Sequence, residues 1–171
     1  MDDLIYNQYR IPAEQWRYGF RTSAATGCGW IATYNALRLM GYRVDIEELI
    51  PWYERTLPPI LGNAGTAFPA PALRFRTWGF PVEMVLDPKK FDTAAKNADV
   101  CLLFYRWRKG CRFGAHFVAL QHSENGFIGY NTFKNSKGPD RYGDSLSDFL
   151  KRHHFFGSVL ICVRDKRRKD T

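Results

Sequence analysis

The chain has few of the residues that build metal centres or covalent cross-links. It carries four cysteines and four histidines in 171 residues. Cys28, Cys101, Cys111 and Cys162 form no C-x-x-C pair, the closest two lie ten residues apart, and the histidines show no zinc-ligand spacing. That pattern excludes a zinc finger or ribbon and a C-x-x-C redox motif, so neither a metal nor a cofactor is expected. Cys101 and Cys162 lie inside the apolar runs "DVCLLFY" and "SVLICVR" and are expected to be inert core thiols. The set suits a reducing compartment better than a disulfide framework.

Long apolar runs are also missing. None approaches the roughly 20 residues of a membrane span. The N-terminus, "MDDLIYNQYRIP", has neither the basic region nor the apolar region of a secretory signal. The expectation is a cytoplasmic protein with no membrane partner. Internal repeats, low-complexity blocks and interdomain linkers are absent. Acidic residues are under-represented, with 17 Asp and Glu against 25 Lys and Arg and a net charge of +8. The tail "RDKRRKDT" (164–171) holds five basic and two acidic residues and reads as a solvated, mobile end.

What is present describes a globular chain. Hydrophobic residues make up 45% and aromatic residues 16%, enough to bury one core over a single domain, 1–171. The first half reads as helices. One covers 28–40 and stops at Gly41, and Asp45 caps a second that contains Pro51. After the Gly- and Pro-rich loop "PPILGNAGTAFPAP", "ALRFRTWG" reads as a third helix ending at Gly79. The second half reads mostly as strands: 81–87, 100–107, a hairpin built from "AHFVALQH" and "GFIGYNTF", and a final strand "GSVLICVR". A surface helix, "PKKFDTAAKNA", and a late helix capped by Ser145 interrupt them. Helices first and antiparallel strands second define an α+β domain.

The chemistry concentrates in "TSAATGCGWIATYNALRLMG" (22–41). Cys28 stands between Gly27 and Gly29 where the first helix begins. A helix N-terminus favours a thiolate, because its free N–H groups and its dipole attract negative charge. Two flanking glycines leave room for a substrate carbonyl to approach. The competing reading is a tight turn with a small buried thiol. A nucleophilic cysteine needs a base, and His116 opens an apolar strand in "FGAHFVALQH". Asn131 follows fifteen residues later and is the residue type that holds a histidine in one tautomer. A tight turn centred on Asn125-Gly126 would leave Asn131 about 13 Å along the strand from His116, so a longer hairpin loop is expected. His122, His153 and His154 lack an asparagine at comparable spacing. Asn35, two helical turns from Cys28, reads as a buried structural polar residue, and Trp30 and Trp78 as core or cleft-lining residues.

These segments, "GCGWIATYNAL", "AHFVAL" and "GYNTF", resemble the papain-like cysteine peptidases, above all the double-glycine leader peptidases. In those proteins a C-G pair opens the central helix, and an H-F/W-V strand leads to Asp or Asn. The resemblance runs from about Gly27 to Cys162. It implies a papain-like fold, with the nucleophile helix packed on a C-terminal antiparallel sheet. It also implies a Cys28–His116–Asn131 triad that hydrolyses a peptide or other amide through a thioester. Gly27, Gly29 and Trp30, with Asn63 and Gly65 of the glycine-rich loop, are the cleft candidates. The family carries a glutamine about six residues before the nucleophile to complete the oxyanion hole. Here that position is Thr22, and the nearest preceding glutamine is Gln15. Two readings stay open. In one, Thr22, Ser23 or a group from elsewhere joins the Cys28 main-chain N–H as the second donor. In the other, the domain binds without cleaving. A third class, a basic nucleic-acid binder, rests on the net charge and on the alternation of arginine and aromatic residues in "YRWRKGCRFG".

Overall fold

The computed structural model describes residues 4–56 and 65–167. A one-turn 3₁₀ helix, Gln8–Arg10, precedes a small hairpin of β1 (Arg17–Tyr18) and β2 (Arg21–Thr22). Four helices follow: α1 (Ser23–Thr26), α2 (Cys28–Leu39), α3 (Ile46–Arg55) and α4 (Ala70–Thr77). Then come β3 (Val82–Val85), α5 (Phe91–Lys96), β4 (Val100–Lys109), β5 (Arg112–Ser123), β6 (Gly126–Tyr130), β7 (Asp140–Gly143), α6 (Leu146–Arg152) and β8 (Phe156–Val163). The α+β reading holds, and so does the division into a helical first half and a strand-rich second half.

Local chemistry places several of these boundaries. Asp45 accepts from the Glu47 N–H at the start of α3, and Ser145 accepts from the Asp148 N–H at the start of α6. Gly41 and Gly79 take the left-handed φ that follows a helix end. The β1–β2 hairpin, α1 and β7 carry no pattern that announced them, being two to four residues long.

The main sheet has six strands in the order β3-β8-β4-β5-β6-β7, antiparallel at every pairing. Its two faces follow the alternation of β4. Leu102 and Phe104 pack with Phe117, Ala119 and Ile161 against Ala32, Ala36 and Leu37 of α2. Cys101, Leu103 and Tyr105 point the other way, into a core with Phe91 of α5 and Phe149 of α6. Burial on both faces is why "VCLLFY" reads as an unbroken apolar run. A third cluster, with Trp30, Ile31, Leu49 and Tyr53, joins α2 to α3.

The segment expected to begin a solvated tail is tied down as far as Arg167. Arg167 Nη2 donates to the Met40 carbonyl at 2.6 Å, Lys166 to the Trp78 carbonyl at 2.8 Å, and Tyr42 to Asp165 at 2.7 Å. Residues 168–171 lie outside the described residues. Among the described residues no helix is long and apolar enough to cross a membrane.

Candidate active site

Cys28 is the first residue of α2, with Gly27 as its N-cap, and its side chain is buried in the core between α2 and the sheet. The main-chain N–H groups of Phe117, Gly29 and Cys28 itself point to the sulfur, an arrangement that favours the thiolate. Burial outweighs them and pushes the Cys28 thiol up to about 11. The resting residue is therefore a neutral thiol at pH 7.

Register explains how His116 reaches the same place. Phe117 pairs with Phe104 on the face that holds Cys28, so His116, paired with Tyr105, belongs to the opposite face. The two faces meet at an edge. Strand β6 stops pairing at Ala119↔Tyr130, which leaves β5 uncovered beyond that point. In the resulting notch Cys28, His116 and Asn131 border one cavity of about 600 Å³.

The hairpin does not need a longer loop to achieve this. Ser123 pairs directly with Gly126, whose φ of +89° closes a two-residue turn. The register puts Asn131 beyond the last pair, next to Tyr130, and Asn131 turns the chain with a φ of +65°. Asparagine tolerates that left-handed conformation better than most residues. The turn brings the Asn131 carbonyl to 2.7 Å from His116 Nε2. A carbonyl only accepts, so Nε2 carries the proton and Nδ1 is left as the basic nitrogen. Burial lowers the His116 pKa, and the Asn131 carbonyl partly counters that by raising it.

The Asn131 side chain, expected on the imidazole, is turned elsewhere. Its Oδ1 accepts from the Gln8 main-chain N–H at 2.8 Å, and its Nδ2 donates to Gln8 Oε1 at 3.0 Å. Gln8 Nε2 donates to the Ala24 carbonyl at 2.9 Å, and Gln8 borders the same cavity as Cys28. Gln8 is not among the sequence candidates, which lie close to Cys28, because it stands twenty positions upstream in a separate 3₁₀ turn. A search for any glutamine before Cys28 finds it beside Gln15, which lines a different surface hollow.

The other sequence candidates sort by contact. Ser23 donates its hydroxyl to the Trp16 carbonyl and accepts from Trp30 Nε1 at 3.2 Å, so it faces the core. Thr22 and Ser23 are both absent from the cavity lining. Trp30 is fully buried and is core, not cleft. Gly27 and Gly29 are explained by packing: a Cβ on Gly29 would lie 2.3 Å from Thr66 Oγ1, and one on Gly27 2.6 Å from the Ser23 carbonyl oxygen. Gly65 takes a φ of +81° and accepts from the Tyr18 hydroxyl, off the cavity. Asn63 lies outside the described residues. Asn35 holds the Ile5 main chain through both its N–H and its carbonyl, the structural role expected of it.

Helices in the first half packed on a six-stranded antiparallel sheet from the second make a papain-like fold. The chain is similar to a solved double glycine motif protease from an AMS/PCAT transporter in complex with its leader peptide. The TM-score is 0.53 at 15% identity, covering 93% of this chain and 95% of that one. No protein-family model and no curated protein matches the sequence.

Proposed function

We propose that the protein is a cysteine peptidase or related amide hydrolase, with Cys28 as nucleophile and His116 as base. The observation that carries this reading is the shared cavity of Cys28 and His116, with Nε2 of the imidazole committed to the Asn131 carbonyl. His116 Nδ1 takes the thiol proton as sulfur attacks the substrate carbonyl carbon. The C–S bond forms, and the carbonyl oxygen becomes an oxyanion held by the Cys28 N–H and the Gln8 side-chain amide. Collapse breaks the C–N bond, and the proton on Nδ1 leaves with the amine. Water then attacks the thioester with the same imidazole as base, releasing the acid and restoring the thiol.

Asn131 acts through its main chain on His116 and through its side chain on Gln8. It thus links the base to the oxyanion donor in place of Thr22 or Ser23. The raised Cys28 pKa fits a mechanism in which the base deprotonates the thiol during attack, not one with a standing ion pair. A non-catalytic binding domain on the same fold is the competing reading, supported by that same neutral thiol.

The test is labelling with a thiol-directed acyl probe in a Cys111→Ser background, because Cys111 is exposed and would react on its own account. Labelling that disappears in Cys28→Ser and falls sharply in His116→Ala supports the hydrolase. Equal labelling of all three rejects it.

A further inference from the structure

The charged side chains that line the cavity among the described residues are all basic. Lys109, Arg112 and Lys134 border it together with Cys28 and His116, and among the described residues no aspartate or glutamate does. Lys109 and Arg112 pair at the tip of the β4–β5 hairpin. The pairs Trp107↔Gly114 and Tyr105↔His116 follow at two-residue steps. Side chains two residues apart share a sheet face. One face of the hairpin is therefore a ladder that runs from the imidazole, across aromatic rings, to two cations. Arg106 belongs to the other face, where its stem lies 3.3 Å from the Cβ position of Gly157.

The middle rung is built by a glycine. A Cβ on Gly114 would lie 2.6 Å from the Trp107 ring, so only glycine lets the indole lie across the strand. Tyr105 stacks on Phe155 with centroids 4.1 Å apart, and both border the cavity. On the opposite wall the Lys134 ammonium sits 4.8 Å from the centre of the Tyr9 ring. All three cations are exposed, and among the described residues none of them makes an ion pair.

We infer that the site takes acidic peptides, with a substrate carboxylate held by Lys109 and Arg112 and the intervening side chains lying on Trp107 and Tyr105. This rests on the hydrolase reading for the position of the scissile bond. Arg112 is four residues from His116 in an extended strand, about 13 Å at roughly 3.3 Å per residue. An extended peptide has the same rise, so the acidic residue falls about three to five positions from the bond cleaved. An acidic peptide is favoured over a nucleic acid because the cations share the cavity with the thiol and the base, where a backbone carbonyl is the expected guest.

The experiment uses a fluorescent peptide library in which glutamate, glutamine or lysine occupies each position in turn. Binding to Cys28→Ala is read by anisotropy and cleavage by wild type is read by mass spectrometry. Glutamate at the favoured positions should bind at least tenfold more tightly than lysine, and less tightly as salt is raised. The double reversal Lys109→Glu, Arg112→Glu should invert the preference on an otherwise folded protein, since both side chains are exposed. No preference for glutamate, or one that survives the reversal, overturns the inference. A labelled single-stranded oligonucleotide that binds more tightly than every glutamate peptide, and loses binding on reversal, also overturns it. Cleavage indifferent to charge sinks this inference and leaves the hydrolase. Charge-dependent binding with no cleavage and no acylation of Cys28 does the reverse.

Discussion

His116 Nε2 lies 2.7 Å from the main-chain carbonyl of Asn131, while the Asn131 side-chain amide is paired in both directions with Gln8. The imidazole is held by a backbone atom that no side-chain substitution removes. The side chain ties that backbone to a turn 123 residues away in sequence.

Asn131→Gly keeps the carbonyl and accommodates the φ of +65°, and deletes only the bonds to Gln8. Its effect and that of Gln8→Ala on stability should overlap. A double-mutant cycle in urea should show coupling of about 0.5–3 kcal/mol, as for residues in one hydrogen-bond network. Asn131→Ala should be worse than Asn131→Gly by roughly 1–2 kcal/mol, because alanine resists a left-handed backbone. Simple additivity in the cycle would mean that the Gln8–Asn131 pair is not a unit.

Alkylation of Cys28 by an uncharged reagent, in a Cys111→Ser background, should rise steadily between pH 8 and about 11, following the thiol pushed up to about 11. A plateau already reached near pH 6 would indicate a standing thiolate and contradict the neutral resting pair. The sign for stability is set by the same shift. The folded value lies above the ordinary 9.0, so the contribution is complete below about pH 9 and fades as pH rises through about 11. At 1.36 kcal/mol per unit this is about 3 kcal/mol, read as a pH-dependent denaturation midpoint that Cys28→Ala lacks.

The acid limb of kcat/KM should fall below the ordinary histidine value of 6.5, because burial lowers the His116 pKa and the neutral imidazole is the active form. Activity should therefore persist into mildly acidic solution and then drop as the ring is protonated. Stability follows the same direction: the folded pKa is depressed, so the contribution is present above about 6.5 and lost as pH falls. An acid limb above 6.5 would assign the profile to another group.

Gln8→Ala should lower kcat by about 10²–10³, the usual cost of one oxyanion donor, while Gln15→Ala and Thr22→Val leave it within a few-fold. Cys28 alkylation in Gln8→Ala should stay near wild type, which separates loss of the donor from collapse of the site. Equal effects at Gln8 and Gln15 would reject the assignment.

Gly29→Ala should destabilise by about 1–3 kcal/mol, the range for overpacking, because its Cβ would meet the Thr66 side chain at 2.3–2.6 Å. Thr66→Gly should recover most of the loss. If the glycine served substrate access instead, stability would be nearly unchanged and only KM would move.

Much of the fold is legible in the sequence. The caps at Asp45 and Ser145, the stops at Gly41 and Gly79, and the doubly buried run of β4 are local or periodic features, and the chain shows them directly. The cysteine at a helix start and the histidine at the head of an apolar strand were legible for the same reason. The hairpin loop is shorter than the sequence suggests, because a shift of pairing is invisible in a turn sequence that suits either register. The flanking glycines suggest openings for substrate, whereas their spaces are filled by Thr66 and by the Ser23 main chain.

The sequence by itself determined the succession of main helices and then main strands, and the two residue types around which the candidate site is built. These depend on neighbours within a turn or a strand. Only the tertiary structure decided that Gln8 borders the same cavity as Cys28, that the Asn131 main chain holds His116, and that Lys109, Arg112 and Lys134 rim that cavity. Those relationships join segments as many as 123 residues apart through main-chain carbonyls and exposed cations. Every residue has such a carbonyl and many surfaces carry such cations, so neither leaves a signature until packing brings them together.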